Sequence, residues 1–157
     1  YATFGKFRQA GLVLSIVPLA LFGGMLALNV RGMTLNVSSA VGFIAMFGLS
    51  IQNGIIMVSQ INNLRKGGME LRKSVIEGAR QRFRPILMTS VTTVLGLFPA
   101  SLATGIGSDV QRPLATVIVY GLMFSALISM FVLPVFYYLI ENNVLNKKKN
   151  DEKEYTL

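Results

Sequence analysis

Two residue types that often carry protein chemistry are missing from this sequence. Cysteine is absent from all 157 residues, which excludes disulfide bonds, thiolate zinc sites and cysteine nucleophiles within the chain. Histidine is absent as well. Any chemistry that this chain performs must therefore use other polar groups.

Charged residues are scarce and unevenly placed. They make up 14% of the chain, against roughly a quarter in soluble domains. No Asp, Glu, Lys or Arg occurs in four long stretches, 9–30, 32–64, 85–108 and 113–140. Each stretch is long enough to cross a bilayer, which takes about 20 mainly apolar residues. A soluble domain with four such helices would keep almost no amphipathic surface to face water. The sequence predicts an all-α membrane protein whose four transmembrane helices span about 11–30, 37–62, 86–103 and 113–140.

The positive charge of the chain is concentrated in one loop. Only Glu70 and Glu77 oppose the seven basic residues between the second and third spans, and the loop after the first span carries only Arg31. An excess of Lys and Arg marks cytoplasmic loops. We therefore expect loop 65–84 and both chain ends in the cytoplasm. The net charge of +8 then indicates a lipid bilayer as partner and no nucleic acid. The seven basic residues are Arg65, Lys66, Arg72, Lys73, Arg80, Arg82 and Arg84.

Two further segments are predicted on the cytoplasmic side. Residues 69–81 have an amphipathic pattern, which predicts a connecting helix that lies on the membrane surface. We favour this role over the alternative of a sensor for lipid or protein. Pro85 would then open the third span, because proline suits the first turn of a helix. We expect the helix bundle to occupy residues 1–142 and the polar residues 143–157 to form a disordered cytoplasmic tail. The apolar face of the connecting helix consists of Leu71, Val75, Ile76 and Ala79.

The predicted spans contain no acidic or basic side chain, although such groups usually mark proton relays inside membranes. The chain alone therefore cannot be a proton pump. Its polar groups at membrane depth are neutral, above all Gln52 and Asn53 in the second span and Thr89 in the third. A buried amide needs hydrogen-bond partners, so the pair indicates either bonding between helices or a role in transport. The hydroxyls of the third span favour a structural role, since Ser and Thr can bond to their own helix. They belong to Thr89, Ser90, Thr92 and Thr93.

Eight methionines are present but do not cluster. Met123 and Met130 lie seven residues apart on one face of the fourth span, and thioether sulfur would suit Cu(I). Methionine also fills gaps in packed interiors, and we favour that interpretation. The sequence predicts no metal site and no cofactor, with Met123 and Met130 as the candidates if a metal is bound.

Four stretches together resemble the C-terminal end of a resistance-nodulation-division (RND) efflux transporter. Their order and spacing cover about residues 1–142. Residues 1–4 resemble the end of the family's eighth helix, which implies a truncated start and makes the four spans its ninth to twelfth helices, within one half of a twelve-helix bundle. Residues 111–116 resemble the heavy-metal branch, which includes the cobalt-zinc-cadmium and copper-silver exporters. The four stretches are 17–24, 48–54, 82–90 and 132–136.

The resemblance implies a homotrimeric antiporter of the bacterial inner membrane, a secondary transporter and not an enzyme. It would be driven by proton entry and would export cations with a periplasmic adaptor and an outer-membrane channel. The acidic relay and the porter domain would lie in the rest of the transporter chain, upstream of Tyr1. The leading hypothesis is therefore the C-terminal part of a heavy-metal exporter. The alternatives are a multidrug RND exporter and, in another class, a non-transporting membrane scaffold or the product of a truncated gene.

The resemblance also assigns candidates for transport coupling. Multidrug members typically carry a lysine at the position of Gln52, and Asn53 follows that position. Arg82 and Thr89 match polar positions implicated in coupling near the start of the eleventh helix. A lysine could pair with the acidic residues of the fourth helix, whereas glutamine can only form hydrogen bonds. The ion pair of the multidrug members is therefore not expected here.

Overall fold

The computed structural model describes residues 7–154, and within them the side chains of 7–147 and 149. The described chain folds into four α-helices, each long and apolar enough to cross a membrane. The predicted all-α fold with four spans is therefore confirmed. Residues 1–4, which resemble the end of an eighth helix, lie outside the described residues. The helices are α1 (Phe7–Val30), α2 (Val37–Lys66), α3 (Leu71–Leu102) and α4 (Ser108–Glu154).

Local hydrogen bonds fix both ends of α2. The Asn36 side chain accepts the N–H of Ser39 at 2.9 Å, and the Ser39 hydroxyl accepts the N–H of Asn36 at 2.9 Å. This reciprocal pair caps the helix at its first turn. At the other end Gly68 has a φ of 85°, and its N–H donates to the carbonyl of Arg65 at 3.1 Å. Glycine adopts this left-handed conformation without steric cost, so the chain can reverse towards α3.

Helix α4 lies at the centre of the fold. It contacts the other three helices, whereas α1 and α3 do not contact each other within the described residues. In the most apolar window of α4, 67% of the residues are buried, compared with 17% for α3. A hydrophobic core cluster joins all four helices through residues such as Leu12, Ile61, Val75 and Tyr137. Helix α3 is therefore the most peripheral element and exposes most of its apolar surface.

Close packing joins α2 to α4. A Cβ atom at Gly42 would lie 3.0 Å from the carbonyl oxygen of Leu114 and 3.2 Å from Cβ of Val117. About two turns further along α2, the buried hydroxyl of Ser125 donates to that of Ser50 at 2.8 Å. Small residues and interhelical hydroxyls allow transmembrane helices to approach each other closely. The orientation of α2 is therefore fixed by α4.

Helix α3 differs from its prediction. The sequence indicated a break between a connecting helix at 69–81 and a span opened by Pro85, but α3 runs through Pro85 without interruption. Proline removes one backbone donor and can bend a helix without ending it. The early part of α3 also packs on protein, since a Cβ atom at Gly78 would lie 2.7 Å from the side chain of Ile61. The position of 69–81 relative to the membrane surface stays a prediction.

The end of α4 also differs from its prediction. A disordered tail was expected for 143–157, but α4 continues through Glu154. Lysine and glutamate have high helix propensity, and extending an existing helix avoids the cost of nucleation. The polar composition of this segment therefore does not end the helix. Residues 155–157 lie outside the described residues.

Candidate functional site

A groove of about 270 Å³ opens between α2 and α3. Helix α2 places Gln52 and Asn53 in its lining, and α3 places Arg82 and Thr89 there. The structure thus brings together all four residues that the sequence nominated for transport coupling. Their role in coupling stays a prediction. The remaining lining residues are Leu49, Ile56, Pro85, Ile86, Ser90, Thr93 and Leu122.

The two amides of the groove are unpaired. Gln52 is exposed and Asn53 is half-buried, and neither side chain has a hydrogen-bond partner among the residues that the structure describes. By contrast, Gln9 and Asn62 bind each other through both amide groups at 2.9 and 2.8 Å. Inside a bilayer no free water replaces a missing partner. The amides of Gln52 and Asn53 are therefore open to groups from outside this segment.

Arg82 lies at the end of the groove that faces the α2–α3 loop. Its guanidinium donates to Oε1 of Gln60 at 3.0 Å, and the Gln60 amide donates to Oε1 of Gln81 at 2.6 Å. This chain of bonds joins α3 to α2. Gln60 was not predicted, although it follows Asn53 by two helical turns and so lies on the same face of α2. With one cation and no carboxylate among its lining residues, the groove favours an acidic partner.

The hydroxyls of α3 are mostly used within the helix. Thr89 donates to the carbonyl of Pro85 at 3.1 Å, and Thr93 donates to the carbonyl of Thr89 at 2.9 Å. The prediction that the hydroxyls of the third span bond back to their own helix is confirmed for the three threonines. Ser90 differs, because its buried hydroxyl has no partner within the described residues. The Thr89 hydroxyl has therefore already used its proton in a hydrogen bond, whereas the Ser90 hydroxyl can still donate one to a further group.

Residues 1–141 match the AcrB/AcrD/AcrF family. The chain belongs to this family. The match covers all of α1, α2 and α3 and most of α4, so it includes every residue that lines the groove.

Several relatives with similar sequences, though not all, carry names that refer to metals. The chain is 45% identical over 139 residues to the cobalt-zinc-cadmium resistance protein CzcA of Cupriavidus metallidurans, covering 88% of this chain and 13% of the relative. It is 44% identical over 154 residues to protein HelA of Legionella pneumophila, covering 98% and 14%. A crystal structure of a heavy metal efflux pump superposes with a TM-score of 0.80 at 54% identity, covering 88% and 14%.

These comparisons confirm the resemblance to the heavy-metal branch of the RND transporters. They also show that the chain spans only 13–14% of the length of these relatives. In the AcrB/AcrD/AcrF family the segment is therefore one part of a much longer architecture. Four apolar helices and this family together identify a multi-pass membrane protein.

Met123 and Met130, the two metal candidates from the sequence, do not line the groove that contains Gln52 and Asn53. Met123 and Met130 both line an apolar groove between α3 and α4, in which Ser90 supplies the polar group. Among the described residues, no group of three or more His, Cys, Asp or Glu side chains could hold a metal ion. Met123 is exposed and Met130 is half-buried, so neither fills a gap in the packed interior of the described residues, and the gap-filling interpretation stays a prediction.

A second polar cluster, which sequence reasoning missed, joins three helices of the family segment near the α2–α3 loop. Asn62 of α2 pairs with Gln9 of α1 and accepts the phenolic O–H of Tyr137 of α4 at 2.6 Å. Beside it, Arg65 and Glu141 form an ion pair at 2.6 Å. Partly buried charges of this kind are stable only when paired. The cluster therefore fixes α1, α2 and α4 relative to one another at this end of the bundle.

At the opposite end of the bundle, Arg31 also connects helices through hydrogen bonds. The guanidinium of Arg31 donates to the carbonyl of Ser101 at 2.9 Å and to the hydroxyl of Thr116 at 3.3 Å. It therefore connects the end of α1 to the end of α3 and the start of α4. The position of Arg31 in the sequence gave no indication of these contacts, since its partners lie 70 and 85 residues away.

Proposed function

We propose that this chain is the C-terminal transmembrane part of a proton-driven exporter of heavy-metal cations. The observation that carries the proposal is the similarity across four helices to CzcA, at 45% identity, and to a heavy metal efflux pump, at 54%. The activity is transport without covalent catalysis, as for a secondary transporter. The AcrB/AcrD/AcrF family supports this class, and the relatives' names support the substrate class.

The groove between α2 and α3 supports a role in coupling. Gln52 and Asn53 have unused amides, and Arg82 contributes a positive charge at one end. An amide donates to a carboxylate and accepts from a protonated carboxyl group, so it can bind an acidic side chain in both states. A lysine in the place of Gln52 would bind only the ionised state strongly. In this proposal the amides bind an acidic side chain on a helix elsewhere in the transporter. When that side chain gains or loses a proton, the amides change between accepting and donating a hydrogen bond, and this change shifts the packing of the helices.

The proposal includes the location and the assembly of the complete transporter. It lies in the bacterial inner membrane as a homotrimer and works with a periplasmic adaptor and an outer-membrane channel. Both chain ends and the basic loop 65–84 face the cytoplasm, which the asymmetry of basic residues supports. The rest of the transporter chain supplies the acidic relay and the porter domain.

Metal tolerance tests the proposed substrate class. We expect the complete transporter, expressed in a metal-sensitive bacterium, to raise tolerance to cobalt, zinc, cadmium, nickel, copper or silver ions. Tolerance to lipophilic antibiotics is expected to stay unchanged, and a protonophore is expected to stop the export. Raised antibiotic tolerance without metal tolerance would establish the multidrug alternative. A well-expressed protein that changes neither would establish a scaffold.

A further inference from the structure

A second groove follows the seam between α3 and α4. Its wider part has a volume of about 520 Å³ and is lined by Val75 and Ile76 of α3 and by Pro134 and Val135 of α4. A further cavity of about 220 Å³ adjoins it towards the middle of the helices, and the two share Met130. Nearly all the lining side chains are hydrocarbon. The groove is therefore a long apolar slot on the surface of the bundle.

One end of the slot carries a free positive charge. Arg72 lines the wider part together with the aromatic ring of Tyr138. Arg72 is exposed and has no ion-pair partner among the residues that the structure describes. The adjacent Lys73 differs, since its ammonium group pairs with Glu70 at 3.3 Å. The slot therefore combines an apolar length with one unneutralised guanidinium group at its cytoplasmic end.

We propose that this slot binds one molecule of an anionic phospholipid, with an acyl chain between α3 and α4 and the phosphate group on Arg72. Basic pockets between transmembrane helices on the cytoplasmic side bind anionic head groups. Guanidinium matches phosphate oxygens through two parallel hydrogen bonds. The surrounding loop adds charge of the same sign, with seven basic residues against two glutamates. The proposal rests on the cytoplasmic position of loop 65–84 given under the proposed function, but it does not depend on the transport activity.

The side chains that line the slot favour a lipid over a protein helix as the occupant. Interfaces between transmembrane helices are enriched in small residues and in polar groups that bond across them. The groove between α2 and α3 has such polar groups in Gln52 and Asn53, so it suits the helices of the remaining transporter. The slot offers mostly branched and thioether side chains, such as Ile76 and Met130, which resemble a lipid-facing surface.

Native mass spectrometry of the complete transporter tests the head-group contact. The protein is titrated with phosphatidylglycerol and with phosphatidylcholine of the same acyl chains, and we expect phosphatidylglycerol to bind more tightly. Arg72→Gln is expected to weaken its binding about tenfold, which corresponds to about 1.4 kcal/mol. Lys73→Gln removes the same charge from the neighbouring residue and should have no effect, whereas Arg72→Lys should keep most of the affinity. Equal binding of both lipids, or equal effects of Arg72→Gln and Lys73→Gln, would overturn the proposal.

A second pair of variants tests the acyl-chain contact. Val135 is exposed and lines the slot, so Val135→Trp fills the slot without disturbing the core. We expect this change to weaken phosphatidylglycerol binding about as much as Arg72→Gln does. Phe131→Trp is the control, because Phe131 is exposed on the same helix but lines neither part of the slot. Undiminished binding by Val135→Trp would show that the lipid lies elsewhere.

Discussion

Two unpaired amides set the chemistry of the groove at the scale of single residues. Gln52 and Asn53 can donate and accept hydrogen bonds, but they have no partner among the described residues. An unsatisfied amide in hydrocarbon costs several kcal/mol. We therefore expect both amides to face the interior of the complete bundle and to bind its acidic helix.

Replacement of Asn53 separates coupling from structural bonding. If Asn53 couples transport, Asn53→Ala in the complete transporter should leave yield and thermal stability nearly unchanged. Proton-driven export should fall about tenfold, which corresponds to about 1.4 kcal/mol on the limiting step. If Asn53 only joins helices, stability or trimer yield should fall while the surviving protein keeps its rate. Export by proteoliposomes and thermal unfolding measure the two quantities.

Asn63→Ala is the matched control for this variant, because Asn63 is an exposed asparagine near the end of the same helix. Gln52→Leu should have a milder effect than Asn53→Ala, since it removes a hydrogen-bonding group without stranding a charge. Normal yield, stability and export in Asn53→Ala would contradict both interpretations and leave the amides as incidental polar residues.

The sequence predicted four polar residues that line the groove, but not the hydrogen bond that one of them, Arg82, donates to Gln60. Gln52, Asn53 and Thr89 were recognisable because polar groups are unusual in charge-free apolar stretches. The bond from Arg82 to Gln60 was not predictable in the same way, since it depends on the relative rotation of α2 and α3. Helix rotation is decided by packing between distant segments, which a single sequence does not display.

Close contact between α2 and α4 dominates at the scale of elements. At Gly42 a β-carbon would press on the carbonyl oxygen of Leu114, which belongs to the backbone and cannot rotate away. We expect Gly42→Val to separate the helices and to lower the free energy of unfolding by about 1–3 kcal/mol. Thermal unfolding of the chain in detergent measures the change.

Gly48 provides the control for this prediction. It lies in the same helix, and a Cβ atom at its position would meet nothing within 4 Å. Gly48→Val therefore changes the helix propensity as much as Gly42→Val does, but it brings no side-chain atom against another helix. If both variants unfold at the same temperature, close packing at Gly42 does not stabilise the bundle.

The helices themselves were largely predictable, because a charge-free stretch of membrane-spanning length has few other stable structures. The start of α2 at Val37 agrees with the predicted span, as the asparagine cap at Asn36 fixes it. The continuity of α3 through Pro85 and the end of α4 were not predicted, whereas the end of α3 at Leu102 agrees with the predicted span. Pro85 was interpreted as a helix start and lies inside α3, and the polar tail continues α4. In both places the helix continues from the turns before it, although a proline or a polar composition alone would favour a helix boundary.

At the scale of the whole molecule, the topology follows from which helix ends lie together. The Ser38 hydroxyl donates to the carbonyl of Val110, so α2 and α4 begin at the same end of the bundle. Helix α2 has 30 residues and is about 45 Å long, so Gly67 lies at the opposite end from Ser108. From the basic loop we infer that Gly67 faces the cytoplasm and Ser108 the periplasm.

Single cysteines test this topology without background labelling, because the chain contains none of its own. In intact cells we expect an impermeant thiol reagent to label Ser108→Cys and to leave Gly67→Cys unlabelled until the membrane is permeabilised. Labelling of both positions from outside would refute the four-span topology. Labelling of Gly67→Cys alone would invert it.

Reconstitution into vesicles that contain a pH-sensitive dye tests directly whether metal export is coupled to proton entry. We expect the complete transporter to give a metal-dependent pH change with one or more of cobalt, zinc, cadmium, nickel, copper or silver ions. The 157-residue chain alone should give none, because its charge-free spans contain no proton relay. Empty vesicles provide the baseline. A metal-dependent pH change by the 157-residue chain alone, or its absence from the complete transporter with every metal, would contradict the account.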